Sequence, residues 1–120
     1  KIRDLSVLEH WKQLQRLEAG VNQITTLPSI EGLSSLNWIA LGSNEIESVD
    51  WLHGASRLET VILNDNSIRR LDGMGNLPSL KRLELGSNSI ISTAPFRHTA
   101  LMMWMRGSLL SNTIFLRQIS

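Results

Sequence analysis

Asparagine returns every 22 residues along this chain, and isoleucine follows each asparagine two positions later. The asparagines are Asn22, Asn44, Asn66 and Asn88, and the isoleucines are Ile24, Ile46, Ile68 and Ile90. A fixed interval of this length indicates a solenoid of stacked coils. No single coil buries its apolar side chains alone, so the chain must fold as a row of contacting repeats.

The positions around the asparagines form further apolar columns. One copy reads Leu36-x-x-Ile39-x-Leu41-x-x-Asn44-x-Ile46, and three more apolar residues follow at intervals of three. This pattern is typical of the leucine-rich repeat. It predicts an α/β fold: a solenoid with a parallel sheet on its concave face and short helical or 3₁₀ segments on its convex face. The strands are expected near residues 14–19, 36–41, 58–63 and 80–85.

Each column has a physical cause. Alternate residues of the Leu-x-x-Leu-x-Leu stretch face the core of a strand. The asparagine amide can both donate to and accept from backbone groups where the chain leaves the strand, and leaving such groups unpaired costs about 1–3 kcal/mol each. The three-residue spacing downstream suits a 3₁₀ segment, in which positions i and i+3 share a face.

The repeat divides the chain into an array at 1–92 and a divergent segment at 93–120. Ile2, Leu5, Leu8 and Trp11 fit the second half of a coil whose strand is missing, so we expect a fragment of a longer array or an array docked on another structure. After Ile90 the interval fails, and Asn112 arrives 24 residues after Asn88. Two alternatives remain for 93–120: a degenerate fifth repeat with an insertion, or a separate cap with a short amphipathic helix at 97–105.

Composition limits the chemistry. The chain has no cysteine and a net charge of +1, so disulfides and cysteine-bound metals are excluded and an intracellular location, cytoplasmic or nuclear, is expected. The longest apolar run, 100–105, is too short to span a membrane. His10, His53 and His98 occupy different columns and have no carboxylates at ligand spacing. We therefore expect no enzyme activity, no metal and no cofactor.

Residues 1–92 resemble the 22-residue class of leucine-rich repeats typified by the nuclear regulatory subunit (regulatory subunit 7) of protein phosphatase 1. The segments most similar to that regulator are 56–63 and 83–90, Ser-Arg-Leu-Glu-Thr-Val-Ile-Leu and Leu-Glu-Leu-Gly-Ser-Asn-Ser-Ile. The resemblance implies a protein-interaction scaffold whose partner is a Ser/Thr phosphatase catalytic subunit. The same class includes a spliceosomal protein, which implies a ribonucleoprotein component as the alternative.

Candidate binding residues are the strand positions that the repeat leaves free, which point outward on the concave face. They form one ladder at positions 16, 38, 60 and 82 and a second at 18, 40, 62 and 84. With two residues just beyond the third strand, the candidate set is Arg16, Glu18, Trp38, Ala40, Thr60, Ile62, Asn64, Asp65, Arg82 and Glu84. An exposed Trp beside an exposed Ile, framed by charges, has the composition of an interface hot spot.

Trp38 has a second interpretation, because a neighbouring side chain or the missing coil could cover it. Trp11 and Trp51 are expected to pack on the convex side. Glycines at 20, 42 and 86 would let a partner's backbone approach the sheet. For the ribonucleoprotein alternative, Arg69, Arg70, Lys81 and Arg82 form a basic patch. Nearby carboxylates balance that patch, so nucleic-acid binding and membrane binding are not expected.

Overall fold

The computed structural model describes residues 1–75 and 77–91 with their side chains, and residues 114–115 through their backbone alone. Four short strands lie inside the predicted ranges: β1 (Arg16–Glu18), β2 (Trp38–Ala40), β3 (Thr60–Ile62) and β4 (Arg82–Glu84). They pair as parallel neighbours in sequence order, and each residue lies opposite the residue 22 positions later. The leucine-rich repeat fold predicted from the asparagine interval is confirmed.

The middle residue of each strand points into the core, as the alternation of apolar side chains predicts. Leu17, Ile39, Val61 and Leu83 are buried, whereas the flanking strand residues are half-buried or exposed. The apolar columns of the successive coils join in one hydrophobic core. Burying each large side chain contributes about 1.5–3 kcal/mol, so neighbouring coils stabilise one another.

The asparagines tie adjacent coils together. The Asn44 side chain donates to the carbonyl oxygens of Leu41, in its own coil, and Ala19, in the preceding coil, both at 3.0 Å. Its Oδ1 accepts from the backbone N–H of Ile24 at 3.0 Å. Asn66 and Asn88 repeat these bonds one and two coils later. Asn44, Asn66 and Asn88 therefore form a ladder of hydrogen bonds between coils, and Asn22 Oδ1 accepts a corresponding bond from the backbone N–H of Ile2.

The first eleven residues complete this stack. The backbone N–H of Ile2 donates to Asn22 Oδ1 at 2.9 Å, and the backbone N–H of Gln23 donates to the Ile2 carbonyl at 2.8 Å. The same contacts link Ile24 to the coil that follows it. Residues 1–11 thus occupy the second half of a coil, the place that the apolar columns assign to them.

The second half of each coil turns through 3₁₀-type hydrogen bonds. Two segments are regular 3₁₀ helices, Ser6–His10 and Asp50–Leu52. Single bonds between residues three apart, such as Leu33 N–H to the Ile30 carbonyl at 3.0 Å, turn the chain elsewhere. Trp51 packs here with 6% of its surface exposed. Trp11 does not, because it is 48% exposed, so the expected packing of this residue was wrong.

One residue per coil adopts a left-handed backbone conformation immediately before the asparagine. Val21, Ser43, Asp65 and Ser87 have φ values between 55° and 59°. Non-glycine residues rarely take this conformation, and for a β-branched residue it is an outlier. The turn before each asparagine therefore requires a left-handed backbone conformation that is unfavourable for residues other than glycine.

A two-residue strand, β5 (Ile114–Phe115), pairs with β4 in the antiparallel sense. The register places Phe115 opposite Arg82 and Ile114 opposite Leu83. The expectations for the rest of 93–120, including the helix at 97–105, fall on residues outside those that the structure describes. The boundary at residue 92 and the nature of the segment after it stay predictions.

Candidate functional site

We use the name concave face for the outward-pointing side chains of β1 to β4. The strand register aligns them in two rows that cross the sheet. The first row contains Arg16, Trp38, Thr60 and Arg82, and the second contains Glu18, Ala40, Ile62 and Glu84. The structure thus brings together the eight strand residues of the candidate set, with charged residues on β1 and β4 and mainly apolar ones on β2 and β3.

Arg16 covers Trp38. The guanidinium carbon of Arg16 lies 3.7 Å from the centroid of the Trp38 ring, which is van der Waals contact and well within cation–π range. Its Nη2 also donates to Glu18 Oε1 at 2.8 Å, and its Nε donates to the same oxygen at 3.2 Å. Trp38 is therefore half-buried rather than exposed, as the second interpretation of this residue anticipated.

A second ion pair lies on β4. Arg82 Nη2 lies 2.8 Å from Glu84 Oε2, and the Glu84 side chain is only 13% exposed. Between the two ion pairs lie Ala40, Thr60 and Ile62, all half-buried. The expected exposure of Ile62 was too high, because the structure shows this residue half-buried.

Two further candidate residues hold the fold together. Asn64 Oδ1 accepts from the backbone N–H of Gly86 at 2.7 Å, and Asp65 Oδ2 accepts from the Ser43 hydroxyl at 3.0 Å. Both contacts join one coil to a neighbouring coil. Asp65 is exposed and has the left-handed backbone described above, so it can still meet a partner at the rim of the concave face.

The glycines after the strands have a structural explanation. A Cβ atom added to Gly20 would lie 3.2 Å from the Gly42 carbonyl oxygen, and one on Gly42 would lie 3.4 Å from the Asn64 carbonyl oxygen. Gly86 is buried. Gly20 therefore lies close to the next turn, whereas Gly42 has room for ordinary van der Waals contact and Asn64 occupies the same column in the third coil. The expected approach of a partner's backbone does not apply to Gly86, because this residue is buried.

The basic residues of the alternative interpretation face carboxylates. Arg70 Nη2 is 3.0 Å from Asp72 Oδ2, and Lys81 Nζ is 2.8 Å from Glu59 Oε1. Arg82 pairs with Glu84, as described above. Three of the four basic side chains proposed for RNA contact are thus matched by neighbouring negative charges.

Within residues 1–75 and 77–91, no group of three or more histidine or acidic side chains is placed to bind a metal ion. None of the helices in the described part of the chain is long and apolar enough to cross a membrane. His98 lies outside the described residues.

Comparison with known proteins agrees with this geometry. Residues 56–98 match the family profile described as Leucine Rich repeats (2 copies). No curated protein sequence matches the chain significantly. Among solved structures, internalin C2 of Listeria monocytogenes str. 4b F2365 is 29% identical with a TM-score of 0.75 over 82% of this chain. An internalin, InlF, of the same strain is 28% identical with a TM-score of 0.69 over 73%.

The chain spans 44% of the internalin C2 chain and 26% of the InlF chain, so both relatives extend well beyond the matched part. The part matched by the family profile includes β3 and β4 of the parallel sheet. The leucine-rich repeat domain is typically a protein-interaction module and is generally non-catalytic. This chain therefore has the leucine-rich repeat fold and resembles the repeat domains of internalins.

Proposed function

We propose that this chain is a non-catalytic scaffold that binds a protein partner through the concave face. The observation that carries the proposal is the strip formed by Trp38, Ala40, Thr60 and Ile62, which lies between the ion pairs on β1 and β4. A mainly apolar centre with a charged margin is the arrangement from which protein interfaces draw most of their affinity.

A charge placed in this strip tests the proposal. Trp38→Ala combined with Ile62→Glu is expected to abolish recovery of the main partner in affinity purification from the source organism. Val7→Glu is the matched control, because Val7 is 47% exposed and lies on the first 3₁₀ helix, away from the sheet. Circular dichroism first establishes that both variants fold. Equal recovery by the strip variant and the wild type would place the partner site elsewhere.

Within this proposal, a Ser/Thr phosphatase catalytic subunit is the specific partner that the resemblance to the phosphatase regulator suggests. The support is the match of the repeat columns, whose residues are mostly buried and cannot contact a partner. Purified phosphatase 1 catalytic subunit should therefore be tested directly. Its failure to bind the wild-type chain would remove this partner and leave the scaffold proposal standing.

The ribonucleoprotein alternative predicts RNA binding that weakens steeply with salt, because phosphate contacts release counterions. The pairing of Arg70, Lys81 and Arg82 with carboxylates opposes it. We expect RNA retention to be negligible at physiological ionic strength. Tight, strongly salt-dependent retention would favour the alternative over the scaffold.

An intracellular location is part of the proposal and is supported by the absence of cysteine from the sequence. Fractionation of source cells, with detection by antibody, tests it. Recovery of the protein from the culture medium would overturn this part of the proposal alone.

A further inference from the structure

The Arg16 side chain contacts Trp38 and Glu18, and the rest of its surface is exposed to solvent. Trp38 contacts one face of the guanidinium group at 3.7 Å. Glu18 Oε1 accepts hydrogen bonds from Nε and Nη2 at one edge of the group. The Arg16 side chain nevertheless keeps 60% of its surface exposed. A flat cation is therefore held in place on the concave face, with its outer surface available to solvent.

We infer that the partner places an aromatic side chain on the open face of Arg16, beside an aliphatic side chain over Ala40 and Ile62. This inference rests on the proposed function and names the chemistry of the partner segment. A planar guanidinium stacks on aromatic rings. Because it is weakly hydrated, removing water from that face costs little free energy. The partner ring completes a stack in which Arg16 lies between two aromatic groups.

Glu18 explains why the inferred group is an aromatic ring rather than a carboxylate. It already occupies the Nε and Nη2 edge of Arg16, one of the two edges that can make paired hydrogen bonds with a carboxylate. A second acidic group would also lie close to Glu18 and be repelled by it. Stacking uses the face of the guanidinium and leaves the ion pair intact.

Arg82 provides an internal comparison. It occupies the same row as Arg16 and makes the same ion pair two residues along its strand, with Glu84. Its neighbours in the strand register are Thr60 on β3 and Phe115 on β5. The two ion pairs are similar in charge, and the one at Arg16 is the pair whose guanidinium lies over the Trp38 ring.

Selection from a random peptide library on the immobilised wild-type chain tests the inference. Enriched peptides are expected to contain an aromatic residue near an aliphatic one. Arg16→Ala should weaken their binding roughly threefold to thirtyfold, the range of a cation–π contact. Arg16→Lys, which keeps the charge and loses the planar group, should weaken it almost as much. Arg82→Ala should change the affinity less than twofold.

The outcomes separate this inference from the proposed function. Peptides that lose binding with Ile62→Glu but contain no aromatic residue, or that are insensitive to Arg16→Ala, would overturn the aromatic stack and leave the concave face as the site. Equal losses from Arg16→Ala and Arg82→Ala would also overturn it, because charge alone would then explain both. Peptides insensitive to Ile62→Glu would count against the stack and the proposed function together.

Discussion

The Asn66 side chain forms hydrogen bonds with backbone groups of its own coil and of the preceding coil. Its amide donates to the carbonyls of Leu41 and Leu63 at 3.0 Å and 3.1 Å, and its Oδ1 accepts from the Ile46 N–H at 3.0 Å. Asn22 donates only within its own coil, to Ala19 and Gly20. The two asparagines occupy the same column but link the coils to different extents.

Asn66→Ala is therefore expected to destabilise the fold by about 1–3 kcal/mol, because it leaves part-buried backbone groups of two coils unpaired. Asn22→Ala should cost clearly less, since the groups it leaves are largely exposed to water. Urea denaturation of both variants measures the difference in free energy of unfolding. Equal losses would mean that the bond from Asn66 to the preceding coil contributes nothing.

Val21 is a site at which the protein can be stabilised. It is β-branched, has a φ of 55° and is 66% exposed, so it carries backbone strain without contributing to the core. Val21→Asn should raise the free energy of unfolding by about 1 kcal/mol, because asparagine tolerates the left-handed conformation. Val7→Asn, at a similarly exposed valine without a positive φ, should bring no such gain. A lower urea midpoint for Val21→Asn would refute the strain.

Among the elements, the strands were predictable and the left-handed turns were not. A strand residue such as Val61 is fixed by burial, and burial repeats in the sequence as an apolar column. The left-handed positions carry Val, Ser, Asp and Ser, none of them the glycine that usually signals such a turn. The sequence marks these turns through their constant position immediately before each asparagine. The stack of Arg16 on Trp38 depends on side-chain rotamers, which the register alone does not determine.

Gly73 shows how closely the second halves of neighbouring coils approach. A Cβ atom at this position would lie 2.7 Å from the Asp50 Cα, a backbone atom that cannot rotate away. The equivalent atom on Gly75 would have His53 Nδ1 as its nearest neighbour, at 3.8 Å. Two glycines of one turn thus differ in the space around them.

Gly73→Ala should destabilise the protein by about 1–3 kcal/mol, the usual cost of inserting a methyl group where none fits. Gly75→Ala should be neutral or stabilising by up to about 1 kcal/mol, since it restricts only the unfolded chain. Thermal unfolding followed by circular dichroism compares the two. A Gly73→Ala variant as stable as the wild type would show that the coils can separate at this point.

At the scale of the whole molecule, each of the strands β1 to β4 pairs with its neighbours in sequence, and coupling between coils should follow that order. The Leu41 carbonyl accepts from both Asn44 and Asn66 at 3.0 Å. Asn22 and Asn88 share no such acceptor among their described bonds. Cooperation between adjacent coils therefore passes through shared carbonyl groups as well as through the core.

A double-mutant cycle measures this coupling. Asn44→Ala and Asn66→Ala together should depart from additivity by about 0.5 kcal/mol or more, because they compete for one acceptor. Asn22→Ala and Asn88→Ala, which are three coils apart, should add within about 0.5 kcal/mol. Additive losses in both pairs would indicate that water replaces the shared bond at no cost.

The ion pairs of β1 and β4 also bear on the kinetics of complex formation. Arg16 and Arg82 each lie 2.8 Å from a glutamate on the same strand, so their fields nearly cancel a short distance away. A partner that approaches the concave face therefore gains little electrostatic attraction before contact. Association should proceed at the rate of about 10⁵–10⁶ M⁻¹s⁻¹ usual without steering, and with little response to ionic strength. Differences in affinity among partners would then arise mainly from how slowly each one leaves.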